Sequence, residues 1–329
     1  MTVSILPPLF KSEKTLDQVL FPPIEPFDEG YIPVSELHSL WYAQYGNPQG
    51  VPVLVVHGGP GGGCSPNSPR YFDPAFYRII LVDQRGAMRS TPFGEMEENT
   101  TLHLIEDFEK VRQTLGIEKW VLFGYSWGSI LSMAYGQAHP EVMLGFLLGG
   151  VLLGTPQDAH HLWYGLREHY PEAWEEFAAF IPEEERCDLQ AAYYKRLKDP
   201  NPDVHMAAAH AFMKYDFTVA TLLENPLLSE LLQNDKLVLG VARTFAHYAS
   251  HGFFLKTPLL EGLPRISHLP ALIVQGRHDV LTRPLGAYEV HQHWPGSKLS
   301  FVPDGSHSGF DPSISQAIVM AGEEMKGLL

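Results

Sequence analysis

The sequence predicts an α/β protein, a mostly parallel central sheet flanked by helices with a helical cap inserted into it, and three observations carry that prediction. The first is a set of short β-favouring apolar runs at residues 53–56, 120–123, 271–274 and 299–302, each leading into glycine or turn-rich residues. The second is helical patterning between such runs. Residues 101–115 place Leu102, Ile105, Phe108, Val111 and Leu115 on one side, with Asn99 or Thr100 as the cap, and residues 130–138 mix apolar and small side chains as a packed helix does. The third is a change of character between residues 155 and 267. There the chain becomes aromatic, charged and helix-favouring, with prolines at Pro171, Pro182, Pro200, Pro202 and Pro226 and no convincing strand. Strand and helix patterning resumes at Leu269. The expected division is a discontinuous core of residues 1–153 and 268–329, with a cap of residues 154–267 over the carboxyl ends of the strands.

Composition narrows the class without choosing a ligand. At 329 residues, 45% hydrophobic and 19% charged, the chain can bury a large core. Lys and Arg total 23 against 38 Asp and Glu, a formal charge of -15 that opposes nucleic-acid or anionic-membrane binding and favours cationic or neutral substrates. Two cysteines, Cys64 and Cys187, make no disulfide framework, and the first residues lack a basic region followed by a long apolar core, so a cytoplasmic protein is expected. The longest apolar stretch, residues 142–153, is broken by glycines and too short to span a bilayer.

The chemistry is read from Gly124-Tyr125-Ser126-Trp127-Gly128. A serine between two glycines, after an apolar run and before a helix-like stretch, has the form of a nucleophile elbow. Strand and helix meet there so closely that the residues two before and two after the serine must be minimal. An activated serine needs a base, an acid to orient the base, and donors for an oxyanion, arranged along such a chain as serine, acid, histidine. Asp279 follows the apolar run 271–274 and is the candidate acid. His307 follows the run 299–302 and the turn-rich Pro303-Asp304-Gly305-Ser306, and is the candidate base. His278, beside the acid with little room to bend back, and His293, on a helix ending before Trp294-Pro295, are rival bases. The loop His57-Gly58-Gly59-Pro60-Gly61-Gly62-Gly63 brings backbone close to substrate, with Gly59 as one oxyanion donor and Trp127, next to the nucleophile, as the other. It lacks the Lys-Ser/Thr ending of a phosphate loop and the dinucleotide spacing.

On these motifs, together with Asp83-Gln84-Arg85-Gly86, Arg89-Ser90-Thr91-Pro92, Gly276-Arg277-His278-Asp279 and Gly305-Ser306-His307-Ser308, the chain resembles the prolyl aminopeptidases (proline iminopeptidases) of the α/β-hydrolase superfamily over nearly its whole length. The resemblance implies an α/β-hydrolase fold and a serine hydrolase that releases an N-terminal residue, preferably proline, from short peptides. It gives the triad roles to Ser126, Asp279 and His307 and the oxyanion roles to Gly59 and Trp127. In that family an acidic pair on the cap grips the substrate's amino group. Here the first acid's segment is Phe212-Met213-Lys214-Tyr215-Asp216, which retains a carboxylate, and the second's is Ala242-Arg243-Thr244-Phe245-Ala246-His247-Tyr248, where Phe245 stands in place of the glutamate. Asp216 reads equally as an amine anchor and as a solvated helix-end carboxylate. Gly149-Gly150 occupy the stretch of a family arginine, and Met88 stands where glycine is usual. Gly58, Asp216 and Phe245 are the expected substrate contacts.

The substrates expected are small peptides or small esters and amides, with no cofactor and no metal. His247 and His251 have the spacing of one helical face but no glutamate beside the first and no third ligand at a typical distance. An esterase or amidase with altered cap specificity is the alternative enzyme, and a ligand-binding protein on the same scaffold the alternative of another class. Aspartate, which epoxide hydrolases and dehalogenases place at the elbow, is absent from it. The sequence leaves the oligomeric state open.

Overall fold

A computed structural model describes residues 3–5, 14–223 and 226–329. Among these, the strands are β1 (Val3–Ile5), β2 (Asp28–Pro33), β3 (Ser39–Gly46), β4 (Val51–Val56), β5 (Tyr77–Val82), β6 (Trp120–Tyr125), β7 (Met143–Gly149), β8 (Ala271–Gly276) and β9 (Ser297–Val302). They form one sheet in the order β1-β9-β8-β7-β6-β4-β5-β3-β2. The pairs β2·β3 and β3·β5 are antiparallel and the other neighbours parallel. The helices are α1 (Leu16–Val19), α2 (Thr101–Thr114), α3 (Trp127–Ala138), α4 (Pro156–Trp163), α5 (Pro171–Ala179), α6 (Leu189–Leu197), α7 (Pro202–Ala220), α8 (Pro226–Leu231), α9 (Asp235–Ser250), α10 (Leu259–Gly262), α11 (Pro284–His293) and α12 (Pro312–Met325).

Two-residue alternation along the central strands sorts their side chains onto two faces. Leu54, Val56, Leu122, Leu148 and Ile273 pack with residues of α2, α3 and α11. Val53, Val55, Val121, Phe123, Leu147, Leu272 and Val274 pack on the other side with Ile314, Ala317 and Ile318 of α12. Both faces are covered, which is why these runs read as continuously apolar. Helix α2 starts where expected, with Thr100 as its cap accepting from the amide of His103. Its buried face is Leu104, Ile105, Phe108 and Val111, whereas Leu102 is 47% exposed, so the expected placement of Leu102 on the packed side is corrected.

The described residues between β7 and β8 are helical or irregular. This segment has its own aromatic core, in which Phe177 stacks on both Tyr193 and Tyr215 with ring centroids 4.4 Å apart. It meets the sheet at the carboxyl ends of the strands, where Thr101 donates to the carbonyl of Phe253 and Tyr248 donates to the Asn99 side chain at 2.8 Å. Beneath this contact Arg85 grips Asp107 through two hydrogen bonds of 2.6 and 2.7 Å, with both side chains almost wholly buried. Losing one partner of such a pair costs about 3–5 kcal/mol because the other charge is stranded.

The β6-to-α3 reversal is the tightest point of the fold. A methyl group at Gly128 would overlap the carbonyl oxygen of Val56, and one at Gly124 would overlap the carbonyl of Gly128 and the hydroxyl of Ser132. The clashes involve the elbow, the neighbouring strand and α3. Replacing Gly128 by alanine is expected to destabilise the protein by about 1–3 kcal/mol, read as a lower denaturant midpoint at unchanged slope.

Candidate active site

Parallel strands bring their carboxyl ends to one edge, and four of the loops leaving that edge build the site. The loop after β4 carries Gly58 and Gly59, the turn after β6 carries Ser126, and the loops after β8 and β9 carry Asp279 and His307. Ser126 sits at φ 57° and ψ -126°, a backbone conformation that lifts its side chain out of the turn. Its amide donates to the carbonyl of Gly149 at 2.9 Å, and its own carbonyl accepts from the amide and hydroxyl of Ser129 at 2.8 and 2.7 Å. The strained residue is therefore held from both sides.

The side chains singled out in three separate stretches meet here. Ser126 Oγ lies 3.0 Å from His307 Nε2, and His307 Nδ1 lies 2.9 Å from Asp279 Oδ2. Asp279 is buried and fully engaged. Its Oδ2 also accepts from Thr282 Oγ1 at 2.7 Å and Gln275 Nε2 at 3.0 Å, and its Oδ1 accepts from the Thr282 amide at 2.8 Å. A carboxylate so placed accepts and does not donate, so the His307 proton resides on Nδ1 and the Nε2 lone pair faces the serine hydroxyl. Burial by itself would lower the His307 pKa. The charge and hydrogen bond of Asp279, helped by Asp216 and Asp311, outweigh it and hold the imidazole above its ordinary 6.5.

The rival bases stand elsewhere: both are exposed, with the His278 amide bonded to the Gly305 carbonyl and His293 Nδ1 to the Glu289 carbonyl. His247 is held by Tyr194 and the carbonyl of Asn99, and His251 by the carbonyl of His247.

Gly59, at φ +115°, and Trp127, the first residue of α3, both present amides that donate to no acceptor among the described residues. The Trp127 amide is one of the donors a helix start leaves open. Residues to which the sequence reading gave no role lock the two donor segments together. The Gln84 amide donates to His57 Nε2 at 3.0 Å, which puts the His57 proton on Nδ1, donating to the Gly58 carbonyl at 2.9 Å. Gln84 Nε2 donates to the His57 carbonyl and Gln84 Oε1 accepts from the Trp127 indole at 2.8 Å. Burial lowers the His57 pKa more than Asp83 raises it, consistent with a neutral ring. Asp83 accepts from the Cys64 amide and pairs with Arg89 through 2.6 and 2.8 Å bonds, closing the far end of the glycine loop. Gln84 stood in a quoted motif. Gln275 and Thr282 flank the acid, and a lone amide ending an apolar strand was the available signal.

A cavity of about 320 Å³ opens over Ser126 and His307. Gly58, Gly59, Asp216 and Phe245 line it with largely apolar walls that include Met213 and Val241. Asp216, half-buried on α7, accepts no hydrogen bond from any described residue, and burial pushes its carboxyl up to about 6 against the smaller opposing pull of His307. Phe245 on α9 contacts Phe212, one turn before Asp216, with centroids 5.3 Å apart.

Residues 51–313 match the family model described as alpha/beta hydrolase fold. A proline iminopeptidase of Arabidopsis thaliana is 43% identical over 318 residues, 95% of this chain and 83% of the relative. The chain belongs to the proline iminopeptidase family. A probable proline iminopeptidase of Leptolyngbya boryana is 43% identical over 92% of this chain and 95% of its own length. The family member of Neisseria gonorrhoeae is 39% identical over 92% of this chain and 97% of its own. Solved structures share the fold: a putative aryl esterase from Burkholderia cenocepacia matches with a TM-score of 0.65 at 17% identity, covering 92% of this chain and 99% of its own. The Mycobacterium smegmatis proline iminopeptidase matches at 0.60 and 18%, covering 91% and 98%. Among the described residues, no helix is long and apolar enough to cross a membrane.

The hydrogen-bonded arrangement makes a pH test available. Fluorophosphonate labelling of Ser126 needs a neutral His307, so its rate is expected to fall as pH drops through a midpoint above 6.5. A midpoint below 6.5 would contradict the charge balance described.

Proposed function

We propose that this protein is a serine aminopeptidase that removes an N-terminal residue, preferably proline, from short peptides. The observation that carries the reading is the pairing, within one cavity, of a hydrogen-bonded Ser126–His307–Asp279 relay with an unengaged carboxylate at Asp216. Residues 154–267 act as the cap domain that supplies Asp216, and residues 1–153 with 268–329 as the catalytic core. The two unpaired cysteines fit a reducing, cytoplasmic setting.

In this mechanism Asp216 receives the substrate's ammonium group and so sets the first residue's carbonyl against Ser126. Ser126 Oγ attacks that carbon while its proton passes to His307 Nε2. The imidazolium is stabilised by Asp279, and the oxyanion by the amides of Gly59 and Trp127. The tetrahedral intermediate collapses as His307 returns the proton to the leaving amine. Water, deprotonated by the same nitrogen, then cleaves the acyl-enzyme and regenerates the serine. Gly58 leaves backbone room beside the nucleophile: a methyl group there would lie 3.3 Å from Ser126 Cβ.

Ser126→Ala is expected to reduce prolyl arylamide hydrolysis to background while leaving the melting temperature near the parent value. Acetylating the substrate's amine is expected to lower kcat/KM at least about a hundredfold, the scale of losing a charge-assisted contact in an apolar site. Equal rates on free and acetylated prolyl arylamides would refute the aminopeptidase assignment.

Asp216→Asn carries a further prediction in two parts. Its KM for free-amine substrates should rise at pH 7.5, and the KM increase shown by the parent below about pH 6, as Asp216 protonates, should vanish. The unliganded variant should also melt higher than the parent. A carboxyl whose pKa is raised from 3.8 to about 6 by folding destabilises the fold fully above 6, progressively less between 6 and 3.8, and not below. The thermal gain should therefore be present at pH 7.5 and absent at pH 3.5.

A further inference from the structure

The glycine loop that presents the Gly59 amide is pinned at both ends, at His57 through Gln84 and at Cys64 through Asp83. Between these pins, Gly61 and Gly62 make no hydrogen bond with any described residue. What lies against them is the cap helix α9. A methyl group added at Gly61 would stand 2.4 Å from the Gly240 carbonyl oxygen and 2.8 Å from the Thr244 hydroxyl. One added at Gly240 would stand 3.3 Å from the Gly61 carbonyl oxygen and 3.1 Å from the Phe93 ring. Backbone therefore rests on backbone. Gly240 and Thr244 are buried and one turn apart on the same face of α9. A glycine inside a helix weakens it, and the close approach of Gly61 is what its missing side chain allows.

We propose that α9 seats the oxyanion loop, with Gly240 and Thr244 as positioning residues that set the Gly59 amide through Gly61. The inference rests on the serine-hydrolase reading with Gly59 as a donor, and adds the element that holds that donor in place. Gly59 folds back on the same turn: a methyl group there would lie 2.7 Å from the Gly62 nitrogen and 3.1 Å from the Gly61 nitrogen. A shift of Gly61 thus carries Gly59 with it. The helix is itself fixed to the core about two turns further on, where His247 Nε2 donates to the Asn99 carbonyl at 2.9 Å and Tyr248 donates to the Asn99 side chain at 2.8 Å. Val241 and Phe245, on the same helix, line the cavity. The cap therefore serves the chemical step as well as recognition, and serves it even for a substrate with no amine to anchor.

The test is steady-state hydrolysis of prolyl p-nitroanilide and of p-nitrophenyl acetate, which lacks an amine. An oxyanion donor acts in the transition state of both reactions and leaves ground-state binding alone. In Gly240→Ala the added methyl presses on the Gly61 carbonyl and the Phe93 ring. Expected is a fall in kcat/KM of at least about tenfold, a part of the roughly hundredfold lost with a whole donor. The fall should be similar for the two substrates, with KM for the prolyl anilide unchanged. Thr244→Ala removes atoms from the same contact instead of adding them, and should lower both rates several-fold in the same proportion. It carries the test if Gly240→Ala does not fold, and thermal melting identifies the folded variants. A loss confined to the prolyl substrate, or one that appears as a raised KM, would mean that α9 shapes only the amine pocket and would overturn the proposal. Unchanged rates on both substrates in the folded variants would overturn it as well. Hydrolysis that survives Ser126→Ala would instead overturn the serine-hydrolase reading on which it rests.

Discussion

The packing of α3 directly onto the backbone of β4 is the constraint on which the site depends. With no side chain at Gly128, the helix start sits against the Val56 carbonyl, and the chain between β6 and α3 must reverse within a single residue. Ser126 absorbs that reversal in its φ of 57°. The strain is held by bonds to Gly149 and Ser129, so the core fixes the hydroxyl's position before any substrate arrives. The same close approach brings the start of α3, with its open amide at Trp127, beside the loop that leaves β4. Hydrogen bonds through Gln84 then make the loop and the elbow one rigid body.

Two carboxylates in this small volume are given opposite environments by the residues around them. Asp279 is surrounded by donors from His307, Gln275 and Thr282, so both its oxygens are satisfied by protein. Asp216 has no donor among the described residues and a largely apolar neighbourhood, and burial raises its pKa and leaves its charge incompletely compensated. A side chain that weakens the empty protein is thereby one that a cationic ligand relieves. The formal charge of -15 acts at longer range in the same direction, favouring the approach of amines over acids.

Much of this was legible in the chain because each feature is local and leaves a local signature. The elbow glycines, the apolar strands and the turn-rich loops after them follow from backbone sterics within a few residues, and the α/β class follows from their repetition. What could not be read depends on residues far apart in sequence. The alternation of Val53 and Leu54 onto opposite faces is visible, but the antiparallel addition of β2 and β3 at one edge is set by pairings that no period announces. Leu102 shows the limit within one helix: it stands three residues before Ile105 but roughly a third of a turn round from the centre of the face formed by Leu104, Ile105, Phe108 and Val111, and it stays exposed. Gln84, Gln275 and Thr282 are ordinary polar residues whose importance lies in the partners that folding brings to them. The equal weighting of Asp216 between solvated carboxylate and anchor could be shifted only by seeing the cavity it lines.

The loop that carries His307 is tied directly to α7, which constrains whatever lies between them. The amide of His307 donates to the carbonyl of Ala220 at 3.1 Å, one turn beyond Asp216 on the same helix α7. The loop bearing His307 is thus tethered to the helix bearing Asp216, and the span between imidazole and carboxylate is set by the fold. On the aminopeptidase reading, a substrate gripped at its amine would therefore meet the nucleophile at one set distance along its chain.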